Sequence, residues 1–480
     1  MTQLDRRTSL AGLAGGAAVA AGGALLGGPF QGLAAAAARD GGHADIAFRR
    51  LHPVPDLRDG EIRLHLPEGF QYRSFGLAGS PLDDGVETPP AHDGMAAFRS
   101  SSGNTILVRN HEINGPVGAF GDPSLAYDPA AGGGTVTLEV TPFGEVLRSA
   151  VSLSGTQLNC AGGPMPWGSW LTCEETVNGP DVGNDFTGQD NGLLHEKHGY
   201  IFDVPSRGRA SGEPVRAAGR FVHESAAYDP FTGAVYLTED SFGFASGFYR
   251  YLPPVDPMVA GRLFDGGRLQ VLAVEGVPNA RLDQGHRRRA TYRVRWVDID
   301  DPDPAFTGTP SNDTAVQAVG NQGRAKGAAV FSRLEGSAYE AGVVYFCSTQ
   351  GGARAPGDEA PSGFGDGRGQ VWAYHTRGQL LQLVYESPGS QALDLPDNVT
   401  VSRRGTLVLS EDGSGFNFLR GLTRGGQVFD FARLVPPDGD PGAEFAGTTF
   451  SPDSRTLFVN VQSDAGRSFA IWGPWHRAGF

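Results

Sequence analysis

The chain has 480 residues, with 53 Asp and Glu against 39 Lys and Arg and a formal charge of −14. This exceeds the roughly 250–300 residues at which simple cores split, so two domains or one large repeat fold are the options. The negative balance argues against nucleic acid as a partner; it is compatible with several bound cations, or simply with solubility.

The chain opens on a secretion signal. Asp5-Arg6-Arg7-Thr8-Ser9-Leu10 is a twin-arginine run, an apolar stretch rich in Ala and Gly follows to about Leu33, and small residues from Ala34 to Ala38 suit a signal peptidase. The reading is a Tat signal peptide over residues 1–38, the Tat translocase as partner during export, and a secreted or periplasmic mature protein. Beyond it no apolar run reaches the roughly 18 residues of a membrane span, so none is expected. Cys160, Cys173 and Cys347 are odd in number, which leaves at least one thiol without an intramolecular partner.

Glycine (71) and proline (33) punctuate short β-branched and aromatic runs, an all-β pattern. One unit recurs along the chain. An acidic or amide residue opens a small-residue strand, a turn follows, and a strongly apolar strand ends on another polar group. The six copies run from His92 to Glu112, Asn159 to Glu175, His223 to Asp240, Arg333 to Thr349, Asp397 to Asp412 and Glu444 to Gln462. Further strands are predicted at Gly199–Asp203, Gly247–Tyr251 and Gly369–Tyr374, with insertions at Val177–His198 and Arg262–Arg293. Four strands per unit, six times over, predict an all-β six-bladed propeller with loop insertions, one domain over residues 45–480.

In an antiparallel hairpin the first strand begins where the second ends, and the innermost strands of a propeller line its channel. The polar ends therefore converge: Glu112, Cys173, Glu174, Glu175, Glu224, Glu239, Asp240, Glu335, Glu411, Asp412 and Glu444 are expected around one funnel. Converging carboxylates must be protonated, paired or bound to cations. Dense oxygen ligands suit Ca²⁺, and the thiolate of Cys173 adds a soft ligand that suits iron, zinc or manganese. Each carboxylate could instead cap a turn, and Cys173 could be a small buried hydrophobe, the reading that fits Cys160 and Cys347 better. His111 and His223 read as hydrogen-bonded structure, His195 and His198 as loop residues. Arg333 stands two before Glu335, so in a strand both point the same way; it can clamp a phosphate or simply pair with Glu335. No P-loop, H-E-x-x-H or nucleophile elbow is present, which leaves metal-assisted chemistry as the enzymatic reading.

The run Asn159-Cys160-Ala161-Gly162-Gly163-Pro164-Met165-Pro166-Trp167-Gly168-Ser169-Trp170-Leu171-Thr172-Cys173-Glu174-Glu175-Thr176 closely resembles the signature of the PhoX family of secreted alkaline phosphatases. His198-Gly199-Tyr200-Ile201-Phe202-Asp203-Val204, Gly219-Arg220-Phe221-Val222-His223-Glu224 and the leader are similar to that family too. The resemblance implies a six-bladed propeller, iron with several Ca²⁺ ions, and hydrolysis of small phosphate monoesters outside the cytoplasm. It implies that Cys173 matches the iron-binding cysteine, Arg333 and Glu335 the phosphate-binding Arg and metal-ligating Glu, and Glu239 and Asp240 an acidic pair. Thr238-Glu239-Asp240-Ser241 departs from the family's more usual run there. The alternatives are a Ca²⁺-dependent lactonase or phosphodiesterase propeller, and a non-catalytic Ca²⁺-binding propeller outside the cell; a monomer is expected.

Overall fold

The computed structural model describes residues 50–254, 261–437 and 440–480. The signal peptide expected over residues 1–38, and the expected domain start at 45, lie outside the described residues.

Six antiparallel hairpins stand where the six sequence copies stand. They are β1 (His92–Arg99) with β2 (Thr105–His111), β3 (Asn159–Met165) with β4 (Ser169–Glu174), and β5 (His223–Tyr228) with β6 (Val235–Glu239). The others are β7 (Leu334–Glu340) with β8 (Val343–Ser348), β9 (Pro396–Val401) with β10 (Leu407–Glu411), and β11 (Glu444–Phe450) with β12 (Thr456–Gln462). The opening strands form a closed ring: β1 lies beside β3, β3 beside β5, β5 beside β7, β7 beside β9, β9 beside β11, and β11 beside β1. The fold is all-β and propeller-like.

The sheets are less uniform than six equal units. Two have four strands: β1 and β2 continue into Gly133–Val140 and Val146–Thr156, while β11 and β12 continue into Arg467–Trp472 and Gln71–Phe75. The β3–β4 sheet stops at three strands with Ile201–Pro205, and the β9–β10 sheet gains His52–Pro55 and Ile62–Leu66 to reach six. The third and fourth units fuse into one nine-stranded sheet. The cause is the strand Thr291–Asp298 at the end of the long insertion, whose first residues pair with Leu380–Glu386 of the next unit. All three further strands expected from sequence form, at Ile201–Pro205, Phe248–Leu252 and Gln370–His375.

Aromatic side chains fill the spaces between sheets. Tyr236, Phe248, Phe346, Trp372 and Tyr374 are all buried in one cluster, with the Phe248 and Phe346 rings stacked at 4.3 Å. Each large apolar side chain so buried contributes roughly 1.5–3 kcal/mol. Among the described residues no helix is long and apolar enough to cross a membrane.

One irregularity positions the site. Every hairpin has a register shift near the start of its first strand: His92/Met95, Asn159/Gly162, His223/Ala226, Leu334/Ser337, Pro396/Val399 and Ala446/Thr449. Such bulges re-aim side chains. The squeezed pairs are Asp93-Gly94, Cys160-Ala161, Glu224-Ser225, Glu335-Gly336, Asp397-Asn398 and Gly447-Thr448. Neighbouring backbones come close here: a Cβ on Gly94 would sit 2.6 Å from the Ala161 Cα, and one on Gly336 2.7 Å from the Asn398 Cα. At Gly94 and Gly336 the second bulge residue must therefore be small, and in five of the six hairpins the first carries a carboxylate or thiol.

Candidate metal centre

The first bulge residues of five hairpins are Asp93, Cys160, Glu224, Glu335 and Asp397. Oxygens of Glu224, Glu335 and Asp397, from three different hairpins, lie within 4.8 Å of one another. Burial, then the neighbouring charges of Glu112 and Asp397, drives the Asp93 carboxyl well above the usual range. Glu224 is pushed well up by burial and Asp397, Glu335 by burial and Asp240, and Glu444 by burial and Asp412. Asp397 rises to about 7 through burial and the charge of Asp412. Buried like charges at such spacing cannot all ionise unless cations join them. Buried Glu444 Oε2 also has no hydrogen-bond partner. This oxygen-rich donor set fits hard divalent cations.

Arg333 enters this cluster from the residue before β7. Its φ is +42°, a left-handed conformation costly for a side chain of this size. Nε donates to Asp240 Oδ1 at 3.1 Å, and Nη2 donates to Asp240 Oδ2 at 2.7 Å and to Glu335 Oε1 at 2.8 Å. Burial opposes both charges of the pair, yet Arg333 holds the Asp240 carboxyl below its ordinary value, and Asp240 and Glu335 hold the guanidinium charged. Phe242 lies under the guanidinium at 5.2 Å, which fixes its plane. Gln462 Nε2 donates to Asp93 Oδ2 at 2.9 Å and to Glu112 Oε2.

The paired acids at the ends of the second strands divide their work. Successive strand residues face opposite sides. Glu174 accepts from the Gln157 N at 2.9 Å, His198 Nδ1 at 2.6 Å, and the backbone N of Gly199 and Tyr200. Glu239 accepts from the Gly247 N at 2.7 Å and the Tyr249 hydroxyl at 2.9 Å. Glu411 accepts from the Asp394 and Phe418 N and from Arg420 Nε at 2.8 Å. These three tie each hairpin to its surroundings. The following residues, Glu175, Asp240 and Asp412, are the ones whose charges act on the bulge residues Cys160, Glu335 and Asp397; Glu112 acts likewise on Asp93.

The two cysteines of the second hairpin also separate. Both are buried in one cluster with Met165, Leu171 and Phe221, and they differ in their position on the hairpin. Cys160 stands in the column of Asp93, Glu224, Glu335 and Asp397. Its Sγ donates to the His223 carbonyl at 3.2 Å and the Glu224 carbonyl at 3.4 Å. Burial and then the Glu224 charge raise both thiols well above their ordinary range. Sequence reasoning chose Cys173 and omitted Cys160, Asp93 and Asp397; aligning the copies on His92, Asn159, His223, Leu334 and Pro396 puts all three in one column with Glu224 and Glu335.

Histidine placements differ as well. His223 is structural, stacked on Phe221 at 3.6 Å with Nε2 2.9 Å from the Gly219 carbonyl, and burial drives it down to about 3. His111 Nδ1 sits 2.9 Å from the Pro90 carbonyl. His198 is no loose loop residue: it is fully buried between Glu174 and Asp128. Burial disfavours its charge, but the two carboxylates raise it to about 9.

The sequence profile described as "Alkaline phosphatase PhoX" matches residues 48–142 and 128–465. The chain belongs to the PhoX family. Pseudomonas fluorescens PhoX, solved with vanadate as a transition-state analogue, superposes with a TM-score of 0.63 at 17% identity, over 88% of this chain and 97% of that one. A Xanthomonas campestris gluconolactonase reaches a TM-score of 0.40 at 14% identity, over 89% and 99%. Comparison with curated proteins finds no significant match. As a member of the PhoX family the chain is a phosphatase, a phosphoric monoester hydrolase, and Glu224, Glu335 and Asp397 form an acidic group that could hold a metal ion.

Proposed function

We propose that the protein hydrolyses phosphate monoesters at this acidic funnel with bound metal, outside the cytoplasm after Tat export, and that the ring of opening strands is the hub of a six-bladed propeller of one domain. Membership of the PhoX family and the closed ring order support the reading; the twin-arginine leader supports the export route. The observation that carries it is the convergence of the bulge carboxylates Glu224, Glu335 and Asp397 from three hairpins, beside Arg333, which holds Glu335 and Asp240.

Asp93, Glu112, Glu175, Glu224, Asp240, Glu335, Asp397, Asp412 and Glu444 would hold Ca²⁺, with Cys160 as the soft donor for iron. Among the ligands expected from sequence, Cys173, Glu174, Glu239 and Glu411 serve packing and hydrogen bonding in this reading. The chemistry such cations supply is polarisation of phosphoryl oxygens and a more acidic bound water. Arg333 does the orienting: Nε and Nη2 hold Asp240 and Glu335, and Nη1 is left to take a phosphate oxygen as charge develops on it. Phe242 keeps the guanidinium in the plane that such a contact needs. Glu335 fixes Arg333 on one side and contributes its other oxygen to the centre.

The test is hydrolysis of p-nitrophenyl phosphate with metal quantified in the same samples. Arg333→Ala should retain metal and lower turnover roughly 10²–10³-fold, by comparison with the loss of one transition-state donor. Lys at 333 should restore only part, because a point charge cannot replace a planar fork. Unchanged turnover in Arg333→Ala would overturn the assignment.

A further inference from the structure

The chain carries a large excess of acid, yet one flank gathers unpaired arginine. Arg287-Arg288-Arg289 lie in a turn closed by the Ala290 N donating to the Arg287 carbonyl at 2.9 Å. Arg377 follows the strand Gln370–His375 in the next turn. Arg403 and Arg404 occupy the β9–β10 turn, closed by the Gly405 N on the Ser402 carbonyl at 2.8 Å. Arg424 occupies a turn closed by the Gly426 N on the Thr423 carbonyl at 2.8 Å. All seven are exposed.

Three of these turns form one surface, and Arg377 stands apart from them beside Phe231. Arg288 Nη2 donates to the Gly425 carbonyl at 3.1 Å, and the Arg424 guanidinium lies against Gly405, between the two turns. Arg404 Nη1 donates to the His476 carbonyl at 3.2 Å, and Arg377 stacks at 3.9 Å on Phe231, itself 62% exposed. These contacts are with carbonyls and a ring. Among the described residues none of the seven makes an ion pair with a carboxylate. Like charges held together repel, and a chain with 53 acidic residues has ample means to pair them.

We propose that this arginine-bearing side of the fourth and fifth units is a docking surface for an anionic phospholipid membrane. Arg403 and Arg404 line a cavity with Trp475 and His476, but the arginines ride on separate turn tips, a spread that suits many headgroups over a surface better than one threaded polymer. Phe231, beside Arg377, offers an aromatic ring at the headgroup level. The β9–β10 turn lies at the opposite end of its hairpin from the funnel carboxylates, so docking would turn the acidic mouth away from a membrane of like charge.

Co-sedimentation of the full protein with vesicles tests this. Phosphatidylcholine vesicles containing phosphatidylglycerol should bind it, and raising salt from about 0.05 to about 0.5 M should release it as the Debye length shortens. Phosphatidylcholine alone should not bind. The triple variant Arg288→Gln, Arg403→Ser, Arg424→Ser should bind roughly 100-fold more weakly, with p-nitrophenyl phosphate turnover unchanged, since none of the three lies at the funnel. Equal binding to both vesicle types, undiminished binding by the variant, or capture by soluble polyphosphate without vesicle binding would each overturn the proposal.

Discussion

Glu174 and Glu175 are neighbours on the chain but belong to different kinds of region. Glu174 sits in a satisfied buried cluster, its oxygens taken by His198 and three backbone N–H groups. On the funnel side, Glu224, Glu335 and Asp397 face each other with too little positive charge between them. The first arrangement stabilises the fold; the second stores repulsion that only added cations or protons relieve. The difference teaches that burial of a carboxylate says little until its partners are counted.

The sharpest way to break this contrast is to neutralise one member of each region. Glu335→Gln should lower turnover by roughly 10² or more, because it loosens both Arg333 and the metal set, and it should leave the metal-free protein no less stable. Glu174→Gln should act the other way, costing about 3–5 kcal/mol through the stranded His198. Turnover assays and denaturant titration of both variants check this; equal loss of stability in the two would erase the distinction.

The cysteines offer a second, smaller contrast. Cys160→Ala should lose iron and activity while keeping the fold, and Cys173→Ala should keep iron and cost about 1–2 kcal/mol of packing. Iron retained in Cys160→Ala and lost in Cys173→Ala would reverse the assignment of the thiolate.

A further contrast is in pH. Asp397 rises from its ordinary 3.8 to about 7 in the fold, so the folded state holds its proton more tightly and the metal-free protein should lose stability as pH climbs from about 4 through 7. Added Ca²⁺ should remove that slope. His198 runs the opposite way in origin: its folded value, about 9 against 6.5, contributes stability that is complete below 6.5 and lost as pH rises through about 9. Thermal melts with and without chelator, and of His198→Asn at high pH, measure both.

All six hairpins were legible in the sequence because each pairs a small-residue strand with an apolar one between turn signals. The membership of the funnel was legible only in part. Adjacent acids such as Glu239 and Asp240 look alike in sequence, and which one faces the ring depends on where the second strand's alternation ends. The bulge at Cys160-Ala161 hid Cys160, whose apolar neighbours suggested an inert thiol. The fusion of two units into nine strands was out of reach, since Thr291–Asp298 reads as an ordinary strand and its pairing with Leu380–Glu386 is a matter of tertiary position.

The strand Gln71–Phe75 completes the sheet whose other members come from the end of the chain, pairing Phe75 with Ser468 and Gln71 with Trp472. The ring thus has a clasp, and its two halves are the earliest and latest strands of that sheet to be synthesised. Closing so long a loop is entropically slow, so this sheet cannot form until Arg467–Trp472 has been synthesised, and the funnel, whose walls come from all around the ring, cannot be assembled before it. Once fastened, the clasp leaves no terminal sheet free to fray, and loss of either strand should open the circle as a whole.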